Sequence, residues 1–241
     1  LPSLLSGCGS DDPHAPLTYA ATIAESRLAV DAIMADTGAT AVSLAFFDRE
    51  GILWSEAFGQ ADQEAGRAAT TATLFRCASL SKLAATIATL ILADRGLLSL
   101  DAPLADYLGP EVFSMPEDER YRDISIRMLL NHSSGLPGNE DRDGLTAQPF
   151  TGYAAQTMAG LRYQRLKHAP GALCAYNNDG FTLVENLVAA VAGVDYRTFV
   201  QQEIFDPLEM RQSQYQDIPL PPDRAVKSYV DDVLQPDVVI N

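Results

Sequence analysis

The chain has 241 residues, long enough to bury a sizeable core as one large domain or two interleaved ones. Hydrophobic residues make up 47% and charged residues 20%, which excludes a disordered chain. The balance of 17 basic against 32 acidic side chains gives a net charge of −15, and such a surface repels nucleic acid and anionic lipid head groups.

The chain opens Leu1-Pro2-Ser3-Leu4-Leu5-Ser6-Gly7-Cys8, an apolar stub ending in small residues and a cysteine. Leu5-Ser6-Gly7-Cys8 resembles the lipobox of bacterial lipoproteins, where signal cleavage leaves the cysteine to be acylated. A full signal also needs a basic region and a longer apolar run, and the first Lys or Arg here is Arg27. Either the sequence starts inside its signal or the match is chance; the first is the expectation. The product would be an exported bacterial protein of the periplasm or cell envelope, touching membrane only through lipid on Cys8. Residues 9–17, rich in Gly, Ser, Asp and Pro, read as a linker. Residues 1–17 are thus expected to be signal remnant and linker.

Residues 18–36 carry Ile23, Leu28, Ala29, Ile33 and Met34 at helical spacing and predict an amphipathic helix. Runs 41–47 and 52–58 look like strands, and Asp48-Arg49-Glu50-Gly51 between them is a turn, so an antiparallel hairpin is expected. In residues 79–95, Leu80, Leu83, Ala84, Ile87, Leu90 and Ile91 leave almost no polar face. A helix apolar all round belongs in the middle of a fold, and Gly96 is placed to end it.

Beyond residue 100 the pattern is helices and loops. A short helix at 126–130 runs into a loop at 131–138 broken by Gly and Pro, and further helices are predicted at 180–191 and 196–204. From Asp217 the tail alternates Pro-rich loop with short strand-like pieces such as 226–230. No repeat and no stretch of 18 apolar residues occurs, so no spanning helix is expected. A two-stranded hairpin is marginal alone, and no convincing strand follows it. The expected sheet is therefore incomplete, with an open edge and its remaining strands placed beyond Asn241.

Arg76-Cys77-Ala78-Ser79-Leu80-Ser81-Lys82 stands at the mouth of the most apolar helix. A serine hydroxyl is a poor nucleophile until a base takes its proton. On a helix, residues i and i+3 share a face, so Ser79 Oγ and Lys82 Nζ can meet. The helix N-terminus also offers backbone N–H groups to an oxyanion, and burial disfavours a charged amine. S-x-x-K is nonetheless a weak pattern, and helix capping by Ser79 or Ser81 explains the serines without catalysis.

A second stretch bears on the choice: Pro170-Gly171-Ala172-Leu173-Cys174-Ala175-Tyr176-Asn177-Asn178-Asp179-Gly180-Phe181. In an extended loop residues i and i+2 point the same way, so Tyr176 and Asn178 can face one pocket. By itself Tyr-x-Asn reads more simply as a surface loop tyrosine.

Taken together, these stretches resemble the penicillin-recognising serine hydrolases, in the branch of class C β-lactamases, family VIII esterases and D-amino-acid peptidases. The resemblance also rests on Gly96-Leu97-Leu98-Ser99-Leu100-Asp101-Ala102-Pro103 and on Leu129-Leu130-Asn131-His132-Ser133-Ser134-Gly135-Leu136-Pro137. Ile204-Phe205-Asp206-Pro207-Leu208-Glu209-Met210 matches a weaker signature that usually has glycine where Glu209 stands. The matches are in the family's order and span most of residues 40–230.

The resemblance implies a β-lactamase/transpeptidase-like α+β fold over residues 18–241, an antiparallel sheet with a helical subdomain. It implies an acyl-enzyme on Ser79, with Lys82 and Tyr176 sharing general-base duty and Asn178 binding a substrate amide or holding Lys82. Ser79 N–H would be one oxyanion donor. The family's Lys/His-x-Gly motif has no counterpart, and its strand would follow Asn241. The substrate would be a small molecule or peptide bearing an ester, amide or β-lactam, with no nucleic-acid partner. The rival is a non-catalytic ligand- or partner-binding member or fragment of the same fold.

Cys8, Cys77 and Cys174 lack C-x-x-C spacing, so zinc and redox readings fail, and no metal or organic cofactor is expected. Cys77 and Cys174 each precede a proposed site residue by two positions, which admits a disulfide, but buried thiols are preferred because the family usually has apolar residues there. His132 lies in a stretch that matches a structural loop of the family, His14 in the linker, and His168 at an expected exposed position. A Ser-His-Asp triad therefore lacks its middle member.

Overall fold

The helix expected at 18–36 forms as α1 (Ala20–Thr37) in a computed structural model of the chain. The structure describes residues 19–113, 118–138, 145–146, 153–161, 165–215, 221–230, 233–235 and 239–240; the lipobox with Cys8, the linker and His14 lie outside the described residues. The chain divides into two compact units, Leu1–Phe75 with Leu220–Asp237, and Arg76–Pro219 with Val238–Asn241.

In the first unit α1 ends at Gly38, whose φ of 69° is the left-handed conformation glycine adopts without a Cβ penalty. Its inward stripe is Ile23, Val30 and Met34, whereas Leu28 is 71% and Ile33 57% exposed. The apolar face is thus rotated from the one the sequence spacing suggests. The hairpin is β1 (Ala41–Phe47) and β2 (Ile52–Asp62), paired from Ala41↔Gly59 to Phe47↔Ile52 with a bulge after Phe46. Asp48 Oδ1 closes the turn by accepting from the N–H of Glu50 at 2.9 Å and of Gly51 at 3.1 Å.

β2 runs four residues past the expected end and pairs with β3 (Arg67–Ala68), so the sheet has three strands in the order β1-β2-β3. Among the described residues β1 pairs with β2 alone, leaving its other edge open. The tail is pinned to this unit. Leu74 bridges Ala225, Arg67 Nη2 donates to Ala225 O at 2.6 Å, and Lys227 Nζ lies 3.0 Å from the buried carboxylate of Asp62. The Ala65 N–H and then Lys227 hold that carboxyl below the usual aspartate range. Tyr229–Val230 pairs with Val233–Leu234 as a short two-stranded piece, within the region read as strand-like.

The second unit is helical. The helix expected at 79 begins instead as a 3-10 turn, Ala78–Leu80, followed by α2 (Ser81–Asp94). Then come α3 (Ala105–Leu108), α4 (Ile126–Leu130), α5 (Tyr153–Leu161), α6 (Asp179–Ala192) and α7 (Tyr196–Val200), the last continuing as one π-helical stretch, Gln201–Phe205. Leu145–Thr146 pairs with Val239–Ile240. α6 is the hub on which α2, α3, α4, α5 and α7 pack. Its stripe of Leu183, Val184, Leu187 and Val188 is fully buried, and each such side chain contributes roughly 1.5–3 kcal/mol.

α2 is not buried all round. Ala85, Ala88, Thr89 and Leu92 are packed, while Leu83 is 64% and Leu90 44% exposed. Small residues line the packed side because α6 runs against it, and the buried Thr89 hydroxyl donates to Ala85 O at 2.9 Å. The stretch around Asp101 anchors α4: Arg127 N–H donates to Leu100 O at 2.8 Å, and its guanidinium grips Asp101 at 2.6 and 2.9 Å. Ser125 caps α4 by accepting from Met128 N. No helix among the described residues is long and apolar enough to cross a membrane.

Candidate active site

Ser79 lies in the exposed 3-10 turn, and Lys82 in the first turn of α2. Ala78, just before the serine, has φ 43°, a left-handed conformation that costs an L-residue about 1–2 kcal/mol. Such strain is held where the surroundings over-determine it. The caps of the 3-10 turn and of α2 are Cys77 and Leu80, neither with a side-chain cap bond, so the serines here are not explained by capping.

The structure brings Ser79, Lys82, Tyr176 and Asn178 together. Ser79 Oγ is 2.7 Å from Tyr176 OH, and Lys82 Nζ donates to Ser79 Oγ at 3.1 Å and to Asn178 Oδ1 at 2.9 Å. The Lys82 ammonium nitrogen also sits 4.9 Å from the Tyr176 ring centre and 5.5 Å from that of Phe181. Asn178 is therefore placed to hold Lys82. Its backbone, at φ −81° and ψ −41°, has already turned helical, so the alternation of an extended loop is not what aligns it with Tyr176. The turn into α6 does that.

A buried scaffold carries the tyrosine. Residues 133–137 are buried, and loop 170–178 is laid along them by backbone bonds: Gly171 N–H to Ser133 O and Ala175 N–H to His132 O, both 2.8 Å. Asn177, buried between the two site residues, donates from Nδ2 to Leu136 O at 3.0 Å and accepts from Gly180 N–H at 2.7 Å. Gly138 (φ 69°) allows this approach, since a Cβ there would lie 2.8 Å from Asn177 Nδ2. Spacing gave no sign of Asn177; its role follows from contacts about forty residues apart in sequence.

Burial by itself would raise the Tyr176 phenol, but hydrogen bonds from Lys82 and Ser79 and the Lys82 charge outweigh it and hold it below the ordinary tyrosine value. Elsewhere in this unit burial pushes Tyr121 up to about 12 and raises Tyr196 and Tyr215 as well. The direction is reversed at the site. Tyr215 also supports the segment that carries Ser79, donating to Ser81 O at 2.9 Å while accepting from Tyr196 OH at 3.1 Å.

His132 does not reach Ser79 through any hydrogen bond the structure describes; its ring lies against Tyr176, with centres 4.6 Å apart. His168 is half-buried rather than exposed, its Nδ1 2.9 Å from Ala169 O. Cys77 and Cys174 are not disulfide-bonded, and both are exposed rather than buried, because each lies on a loop or turn at the site's rim. The Cys174 thiol donates to Asn131 O at 3.3 Å. Among the described residues no cluster of three His, Cys, Asp or Glu side chains is placed to hold a metal ion.

The Beta-lactamase family model matches residues 27–240, and the chain belongs to that family. Penicillin-binding protein 4* of Bacillus subtilis is 27% identical over 190 residues, covering 72% of this chain and 37% of that protein. Esterase EstB of Burkholderia gladioli is 45% identical over 85 residues, 35% of this chain and 21% of the esterase. A solved class C β-lactamase superposes with a TM-score of 0.75 at 24% identity, over 92% of this chain and 58% of that one, and shows the shared β-lactamase/transpeptidase fold. The chain thus spans well under half the length of these two relatives.

Proposed function

We propose that the chain is a serine hydrolase acting through an acyl-enzyme on Ser79, on an ester, amide or β-lactam in a small-molecule or peptide substrate. The observation that carries this is Ser79 Oγ held at 2.7 Å by Tyr176 OH and at 3.1 Å by Lys82 Nζ. Lys82, donating to Ser79 and Asn178, favours the phenolate of Tyr176. That phenolate accepts the Ser79 proton as Oγ attacks the substrate carbonyl carbon. The carbonyl π electrons move to oxygen, where the Ser79 backbone N–H is one donor to the oxyanion. Collapse breaks the bond to the leaving group, which takes the proton from Tyr176. Water then attacks the ester carbonyl with Tyr176 again receiving a proton, and Ser79 regains its hydrogen as the acid product leaves.

The names of the relatives, a penicillin-binding protein and an esterase, support this class and leave the choice of acyl donor to experiment. With Cys8 acylated, the enzyme would work at the cell envelope, and its negative charge keeps nucleic acid from being a partner.

Initial rates test the reading. A p-nitrophenyl ester, a chromogenic cephalosporin and a D-alanyl dipeptide are offered to the wild type and to Ser79→Ala. Turnover of at least one compound, lost in Ser79→Ala with an unchanged melting temperature, is the expected result. Equal rates in the two proteins, or saturable binding of a probe without turnover, would overturn it. Activity should rise with pH through the Tyr176 ionisation, below the ordinary tyrosine value near 10, because the phenolate is the acting form.

A further inference from the structure

His132 clamps the backbone on both sides of Tyr176. Its carbonyl oxygen accepts from Ala175 N–H at 2.8 Å, and its ring Nδ1 accepts from Asn177 N–H at 3.2 Å. One residue thus binds both neighbours of the tyrosine. His132 also has φ 61°, an uncommon conformation for a non-glycine residue. The ring lies 4.6 Å from the Tyr176 ring and 5.3 Å from that of Phe181.

We infer that neutral His132 is a positioning residue that holds Tyr176 against Ser79, and that protonation of its Nδ1 releases the tyrosine and switches the site off in acid. This rests on the hydrolase reading above. Nδ1 acts as an acceptor, so the ring proton of the neutral form is on Nε2. A proton on Nδ1 would set donor against donor at Asn177, and one hydrogen bond of the clamp would be lost.

Among the described residues, the charged and titratable groups facing the ring are Lys82 of α2 and the Tyr176 phenol of the adjoining loop; Asn177 and Phe181 face it with neutral groups. Burial, and then the Lys82 charge, keep the imidazole below the ordinary histidine value. The sign follows from linkage. A depressed folded-state value favours the neutral form, so its stabilisation is complete above the ordinary value of about 6.5 and is lost as pH falls through the folded-state value.

His132→Asn is the informative variant. Asn tolerates the left-handed backbone, its Oδ1 takes the place of Nδ1 as acceptor, and it cannot be protonated. It should keep wild-type kcat/KM within about threefold at pH 8 and, below about pH 6.5, decline only along the Tyr176 limb, while the wild type falls more steeply as His132 also takes up a proton. His132→Leu keeps bulk but no acceptor. It should lose about 10–100-fold in kcat at every pH with KM little changed, as expected of a catalytic group displaced by a fraction of an ångström.

NMR of the wild-type chain reads the clamp without turnover. The Asn177 amide and Tyr176 ring signals should move together with the His132 titration, with Nδ1 unprotonated at pH 8. Tyr176 signals unmoved through that titration would overturn the inference. So would an acid limb in His132→Asn identical to the wild type, or unchanged kcat in His132→Leu. A wild type that turns over nothing but shows the coupled titration would defeat the hydrolase reading and leave the clamp standing.

Discussion

The two walls of the site are built on opposite plans. Ser79 sits on one exposed turn, entered through a left-handed alanine and supported from behind by the bond from Tyr215 to Ser81 O. Tyr176 and Asn178 sit on a loop whose neighbouring residues are bonded to a buried segment by backbone, imidazole and carboxamide groups. In the proposed reaction the difference follows from what each wall would do. A nucleophile must be reached by the substrate, whereas a base must keep its orientation to within about 0.5 Å. Tyr176 is itself 59% exposed, so what sets the second wall apart is its cross-bracing.

Removing the base should have the largest effect. Tyr176→Phe is expected to lower kcat by about 10²–10⁴-fold, the usual range for a general base, and to flatten the alkaline rise of the pH–rate profile. A rise that persists in this variant would assign it to another group.

A smaller loss should follow from damaging the brace. Gly138→Ala places a Cβ at φ 69° and 2.8 Å from Asn177 Nδ2. The left-handed backbone alone costs about 1–2 kcal/mol, and kcat should fall while KM holds. Lost stability with unaltered kcat per folded molecule would show that the brace does not position the base.

The nucleophile's wall should be the more forgiving. Tyr215→Phe removes the bond to Ser81 O and leaves Tyr196 OH without its acceptor, a cost of about 1–3 kcal/mol measurable by urea unfolding. Its kcat should change less than that of Gly138→Ala; the reverse order would contradict the contrast between the walls.

The smallest expected change is a gain. Glu209 stands at φ 55°, where the resembling signature usually has glycine. Glu209→Gly relieves about 1–2 kcal/mol of backbone strain and costs about 0.5–1 kcal/mol in chain entropy. It should therefore melt slightly higher with activity unchanged.

The same contrast explains what the sequence made legible. Ser79 and Lys82 are three residues apart at one helix start, and their meeting follows from helical geometry. Tyr176 and Asn178 were legible through the resemblance, because the extended-loop argument for them does not survive the turn at Asn178. Asn177 and the bracing role of His132 were not legible, since they depend on pairing 131–138 with 170–180. Periodicity also misplaced the buried face of α1: it counts apolar residues such as Leu28 and Ile33 but cannot say which stripe meets the sheet. β2 ran on through Gly59-Gln60-Ala61-Asp62, poor strand formers, because pairing with β3 and the pin from Lys227 to Asp62 override local preference.

The most direct test of the central claim is a peptide map after reaction with a fluorophosphonate, which phosphonylates an activated serine. The account predicts one adduct, on the peptide carrying Ser79, formed quickly in the wild type, slowly in Tyr176→Phe and not at all in Ser79→Ala. An unlabelled wild type that is folded, or an adduct on another serine, would contradict it.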